Sequence, residues 1–173
     1  MKAVACLIVA VACLTVLAAH VKTEKYRNGQ TKSRTQFIIK ADTEVKHGKW
    51  TEWFENGRKK AEGVYRNGKR EGRFTDWFDN GQKRSQGPCK NDMRHGKWTE
   101  WHQNGPKACE GSYKRNKREG KWTFWHENGH KNKIGYYKAG KTTGKWQYFD
   151  EEGHLVREET HKNDKVVQRK QIG

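Results

Sequence analysis

The sequence predicts an all-β protein: an elongated, twisted antiparallel β-meander of 24-residue hairpin repeats, preceded by a signal-peptide helix. Three observations predict it. A decapeptide recurs as GKWTEWFENG at 48–57, GRFTDWFDNG at 72–81, GKWTEWHQNG at 96–105, GKWTFWHENG at 120–129 and GKWQYFDEEG at 144–153. Its glycines and aromatic residues stay in phase at a spacing of 24 residues, and self-similarity at one fixed period marks a repeat array. Asn-Gly pairs such as Asn56-Gly57 punctuate the short aromatic runs, which is the strongest local hairpin signal.

The elements follow in chain order. Residues 1–19 carry Lys2, an apolar run from Ala3 to Leu17, and then small residues. Charge, length and flank read as a cleaved secretory signal peptide, ending at Val16-Leu17-Ala18 or Leu17-Ala18-Ala19. A membrane anchor left uncleaved is the minor alternative, because the run is short for a span. The product is then secreted or extracytoplasmic, with no transmembrane span in the mature chain. Residues 20–46 hold YRNGQTKSRTQF at a spacing longer than one unit, a degenerate N-terminal cap. Residues 47–153 are five repeats, each with two short strands, at 49–54 and 59–66 in the first. Residues 154–173 form a C-terminal cap and tail, where Glu159 replaces the glycine expected opposite Trp146.

Apolar residues are 32% of the chain and charged residues 33%, with eight tryptophans. Leucine is scarce beyond the first twenty residues, so the core has to be aromatic. A chain this polar also invites disorder, against which the fixed phase of the tryptophans argues. If Asn56-Gly57 is a two-residue loop, Trp50 faces Gly63, Gly48 faces Tyr65, Glu52 faces Ala61 and Phe54 faces Lys59. If the next turn is a four-residue loop from Asn67 to Arg70, Tyr65 faces Gly72, Gly63 faces Phe74 and Arg66 faces Glu71. A two-residue loop there would set Gly63 against Gly72 and leave the rings unmatched. Each ring then lies beside a glycine on both neighbouring strands, which stand only about 4.8 Å away. The expected structural residues are Gly48, Trp50, Gly57, Gly63, Tyr65, Gly72, Trp98, Gly111, Tyr113, Trp122, Gly135, Tyr137 and Trp146. Pro88 removes a ladder donor, so the second unit is expected to be bent or weakly paired.

Alternation separates two faces. Trp50, Glu52, Phe54, Ala61 and Tyr65 form the core face. Lys49, Thr51, Trp53, Lys60, Glu62 and Val64 form the other. That second face gives the candidate binding residues: the cation column Lys49, Arg73, Lys97, Lys121 and Lys145 beside the ring column Trp53, Trp77, Trp101 and Trp125. Repeated cations can meet repeated charges on a polymer, and adjacent rings can stack on bases or sugars. The competing reading is that these rings only pack against neighbours or a second copy. Loop cations at Arg66, Lys69, Arg70, Lys114, Arg115, Lys117 and Arg118 form a second basic edge, read equally as solvated turns.

The run HGKWTEWFENGRKKAEGVYRNGKREG at 47–72 resembles the MORN repeat, through Gly48, the aromatics 50 and 53, Asn56-Gly57, Gly63-Val64-Tyr65 and Asn67-Gly68-Lys69. The resemblance covers residues 47–153 and is nearest the MORN-variant subtype. It implies stacked hairpins and a scaffolding or binding role without catalysis. It also brings in an antitoxin-like, partner-neutralising role and anionic-lipid binding, since phosphoinositide binding is associated with some members. Cys89 in the tyrosine column, Pro88 beside it and Glu152-Gly153 depart from the pattern.

Cys89 and Cys109 remain after signal cleavage, separated by one strand and so about 9.6 Å apart at least. That exceeds a disulfide's reach of roughly 7 Å between Cα atoms, and no intrachain bond is expected. His102 and His126 share a column one repeat apart, and no Cys/His pair has metal-ligand spacing; neither a metal nor a cofactor is expected. Carboxylates at 55, 79, 127 and 151, and at 62, 110 and 158, read as cross-strand partners of lysine and arginine. No nucleophile–base motif or phosphate loop points to an enzyme. The formal charge of +17 falls to +16 once Lys2 leaves with the signal. A chain so basic attracts an acidic protein, an anionic polysaccharide or anionic lipid headgroups, and less readily nucleic acid. The exposed first and last strands also invite edge-to-edge self-association.

Overall fold

The computed structural model describes residues 19–172. The proposed signal segment lies outside the described residues except for Ala19, which opens the first strand. The strands among the described residues are β1 (Ala19–Lys25), β2 (Thr31–Lys40), β3 (Thr43–Trp53), β4 (Lys59–Arg66), β5 (Lys69–Trp77), β6 (Lys83–Lys90), β7 (Met93–Arg94), β8 (Gly96–Trp101), β9 (Lys107–Lys114), β10 (Lys117–Trp125), β11 (Lys131–Lys138), β12 (Lys141–Phe149), β13 (Leu155–Lys162) and β14 (Lys165–Gln171). They form one open antiparallel meander in which each strand pairs with the next along the chain. The exception is β7, a two-residue piece that pairs with β6 beside β8. This is the expected weak point. Opposite Pro88 the neighbouring strand breaks at His95, whose N–H donates to the Pro88 carbonyl at 3.0 Å.

Two turn types alternate, and both differ from expectation. At Asn56-Gly57 the loop is not two residues long. The Gly57 N–H donates to the Phe54 carbonyl (3.0 Å) and the Phe54 N–H to the Arg58 carbonyl (2.8 Å), with Gly57 left-handed at φ 80°. This is the longer hairpin that closes on a glycine bulge. It shifts the register between Glu52 and Trp53, so Trp53 rather than Phe54 faces Lys59. Lys60 moves with it to the core side, where its ammonium pairs with Glu52 at 2.8 Å.

The second turn is the two-residue one. Asn67 and Gly68 both have positive φ (49° and 80°), as a type I′ turn requires. Arg66 therefore faces Lys69 and Tyr65 faces Arg70, replacing the expected Arg66–Glu71 and Tyr65–Gly72 pairs. The tiling survives because β5 bulges. Between Val64–Glu71 and Glu62–Thr75 it advances four residues against two, pivoting at Gly72 with φ 78°. The bulge returns Phe74 to its place over Gly63.

The sheet is one layer thick, so its core lies on the sheet itself. Trp50 pairs with Gly63, Trp98 with Gly111 and Trp122 with Gly135. Beyond Trp50, which faces Thr35 on the preceding strand, each ring also covers a glycine there: a Cβ built on Gly63 would clash with the ring of Phe74, and one on Gly87, Gly111 or Gly135 with Trp98, Trp122 or Trp146. Tyr113 meets Trp122 edge-on at 5.1 Å, and Tyr137 meets Trp146 likewise at 5.2 Å. Arg94 and Arg118 roof the rings of Trp98 and Trp122 at 4.2 and 4.4 Å. Arg118 and Arg70, over Phe74, are thus ring covers and not free loop cations. Trp122 is 0% exposed.

Both turn edges are stapled between units. Asn56, Asn80, Asn104 and Asn128 each donate their side-chain amide to a carbonyl of the next unit, at 3.0, 2.9, 2.9 and 2.8 Å. On the opposite edge the turn N–H of Gly68, Asn116 and Gly140 reaches back to Lys46, Arg94 and Arg118 at 2.8, 3.0 and 2.9 Å. At the C-terminal end Glu159 is buried opposite Trp146 and closes the tiling, accepting from Tyr148 (2.9 Å) and Arg169 (2.7 Å).

Candidate binding face

The face opposite the paved rings carries two cation rows. The first holds the expected column: Lys49, Arg73, Lys97, Lys121 and Lys145 stand opposite Val64, Pro88, Ser112, Tyr136 and Thr160. The second row was not anticipated. Lys59, Lys83, Lys107 and Lys131 stand directly opposite Trp53, Trp77, Trp101 and Trp125. The glycine bulge at each Asn-Gly turn shifts these lysines by one residue and so onto this face. Their recurrence every 24 residues was the available signal.

The expected ring column is present and half-buried, and three of its four tryptophans lie under lysines. Lys59 lies 5.6 Å from the Trp77 centroid, Lys83 5.8 Å from Trp101 and Lys107 5.6 Å from Trp125. These tryptophans orient ammonium groups; they are not bare stacking platforms.

Between the cation rows runs a third row of cross-strand pairs: Thr51–Glu62, Thr75–Gln86, Thr99–Glu110, Thr123–Ile134 and Gln147–Glu158. Glu110 bridges both cation rows, reaching Lys97 at 2.8 Å and Lys107 at 2.9 Å. Burial opposes its ionisation, but the two ammonium groups outweigh that and hold its carboxyl down at about 2. Glu62 pairs with Lys59 at 2.9 Å and Glu158 with Lys145 at 2.7 Å. A shallow depression of about 350 Å³ opens here, lined by Lys49, Thr51, Glu62, Val64, Arg73 and Gln86 among others.

Other candidate groups are engaged elsewhere. His102 and His126 each donate a ring N–H to a carbonyl of the next unit, of Trp125 at 2.9 Å and Phe149 at 3.1 Å. Among the described residues no group of three or more His, Cys, Asp or Glu side chains gathers as a metal site. Cys89 and Cys109 are buried, unbonded thiols. Burial, with the Glu100 carboxylate alongside, pushes Cys109 up to about 12, and burial raises Cys89 as well.

Stacked hairpins stapled at both edges, paved with rings on one face and ruled with cations on the other, define a repeat module built of stacked β-hairpins. The chain belongs to the MORN repeat variant family, whose model matches residues 46–67, 94–115, 118–139 and 142–163. The matched segments omit the unit that contains Pro88 and Cys89. MORN repeats are non-catalytic modules that bind proteins or membranes. No curated protein matches the chain.

Proposed function

We propose that the chain is an exported, non-enzymatic repeat module that binds an acidic macromolecule through its Lys–Thr–Trp face. One observation carries the reading: two cation rows repeat in register on one side of a stapled single-layer sheet. Unit follows unit every two strands, so the charges recur about every 9.6 Å. Such a ruled surface suits a partner with repeated negative groups. The lysine-capped tryptophans argue against base stacking as the mode of recognition.

Net charge alone attracts anions, so the test must separate the face from the total. One variant carries Lys49, Lys97, Lys121 and Lys145 changed to Gln; a second, of equal charge, carries Lys69, Lys90, Lys114 and Lys138 changed to Gln at the exposed strand ends. Retention of the mature chain on an anionic matrix is measured against salt. The face variant should elute at markedly lower salt, because each lost ion contact removes counterion release. Equal elution of the two variants would reduce the behaviour to bulk charge and refute the face. N-terminal sequencing of the exported product should begin at Ala19 or His20.

A further inference from the structure

The acid row does not repeat as the cations do. Its occupants are Glu62, Gln86, Glu110, Ile134 and Glu158. In the third unit one glutamate reaches a cation of each row, Lys97 and Lys107. The same slot in the second unit holds Gln86, which turns its amide to the Thr75 hydroxyl at 2.9 Å. In the fourth it holds Ile134. Arg73, Lys83, Lys121 and Lys131 accordingly have no acidic partner within salt-bridge distance among the described residues. The carboxylate of Glu110 shows what fits between the two rows: a single planar anion held by two cations. Its absence leaves two matching positions open.

Resting on the reading of this face as the binding surface, we infer that units two and four are the two anion sites of the face, Arg73 with Lys83 and Lys121 with Lys131, and that they take successive carboxylate or sulfate groups of an anionic polysaccharide. The two sites lie four strands apart, about 19 Å. They are separated by the third unit, where Glu110 engages both cations and halves their charge, so one extended polymer spans both. Hydroxyl and amide groups at Thr75, Gln86, Thr99 and Thr123 line the way for sugar hydroxyls. Arg73 also borders the shallow depression of about 350 Å³ that Lys49, Glu62 and Gln86 line, on the side away from Lys83. Single-stranded nucleic acid would want open ring faces, and here lysines lie over Trp77, Trp101 and Trp125. A folded acidic protein would want a desolvated apolar anchor; the row between the cations is polar save at Ile134.

The test restores the missing acids. Gln86→Glu and Ile134→Glu place a carboxylate where Glu110 already sits in its own unit, so the fold has a native precedent for both, and thermal midpoints confirm that it is kept. Binding of dextran sulfate to the mature chain is measured by titration calorimetry at fixed salt. Each substitution should weaken binding about tenfold and the pair about a hundredfold. A charge-matched control, Gln103→Glu with Gln171→Glu, should change it less than threefold. Glu110→Gln, which frees Lys97 and Lys107, should strengthen binding. If the acid insertions weaken binding no more than the control, the two-site assignment is overturned while the cationic face stands. If dextran sulfate fails to bind and phosphatidylserine vesicles, polyglutamate or single-stranded DNA bind with face-dependent affinity, the polysaccharide is overturned. If none of these probes distinguishes face from edge variants, the proposed function itself falls.

Discussion

Gly111→Ala puts the ring-on-glycine packing to a quantitative test. The backbone at Gly111 lies outside the left-handed region, so alanine is free to adopt it. The cost is steric alone: the new Cβ would fall within the indole of Trp122, which is fully buried. The ring has to lift from the sheet. Lifting gives up its N–H bond to the Ser112 carbonyl at 3.2 Å, worth about 1 kcal/mol. It also opens the edge contact with Tyr113 and the Arg118 roof, about 1 kcal/mol more. Overpacking strain adds roughly 1–3 kcal/mol, for a total of about 4 kcal/mol, at the upper end for a point substitution. The control is Gly120→Ala. Gly120 sits in the bulge at φ 72° with nothing within 4 Å of a built Cβ, so it incurs only left-handed strain, about 1–2 kcal/mol. Urea denaturation followed by tryptophan fluorescence and near-ultraviolet circular dichroism reads both. If Gly111→Ala costs no more than Gly120→Ala, the rings are not held against the backbone and the account of the core is wrong.

Three further outcomes follow from the same contacts. Asn80→Ala loses the bond to the Gln103 carbonyl and the one accepted from the Gln82 N–H, both 2.9 Å; it should cost about 1–2 kcal/mol of stability, and Asn80→Asp, which keeps the acceptor, about half that, read as thermal midpoints. Cys89 and Cys109 should resist a thiol reagent at pH 8 in the folded chain and react fully in urea. Because both thiols are raised on folding, Cys109 to about 12, the stability tied to them is intact below the unfolded value near 9 and is lost as pH rises toward 12. Glu110 has the opposite sign: its carboxyl is depressed to about 2, so its contribution is present above the unfolded value of 4.5 and disappears as pH falls through about 2. In Glu110→Gln the acid limb of a stability–pH profile should be shallower.

The ring-to-glycine register was legible because the two-residue loop assumed at Asn56-Gly57 and the glycine bulge found there both set Trp50 opposite Gly63, the shift falling beyond Glu52. Trp50 opposite Gly63 is dictated by the space a ring demands between strands about 4.8 Å apart. The turns were not legible in the same way. Asn-Gly occurs at both 56–57 and 67–68, and the dipeptide fits a type I′ loop and a glycine bulge equally well. What separates them is the glycine column at 48, 72, 96, 120 and 144. A glycine recurring inside a strand marks a bulge, and the bulge at Gly72 lets a tight turn and the ring register coexist. Missing the separate glycine bulge at Asn56-Gly57 moved Lys60 to the wrong face and hid the lysines opposite the tryptophans. A one-residue slip inverts every side chain beyond it, so the first cation row, lying before the slip, was found and the second was not.

Rigidity is what turns these cation rows into a ruler. Lysines on a mobile loop would contribute charge without spacing. Here the asparagine bonds on one edge and the turn N–H bonds on the other fix each unit against the next. The separation of unit two from unit four is therefore set before any ligand arrives. A second contact on the same polymer is then intramolecular, favoured by effective concentration and lost if the spacing fails. Extra charge at every unit would raise affinity for any anion, whereas Glu110 in the middle unit engages both of its cations and weakens the contact there relative to the ends of the span. The alternating acids thereby give up some affinity, and in return the face discriminates by spacing.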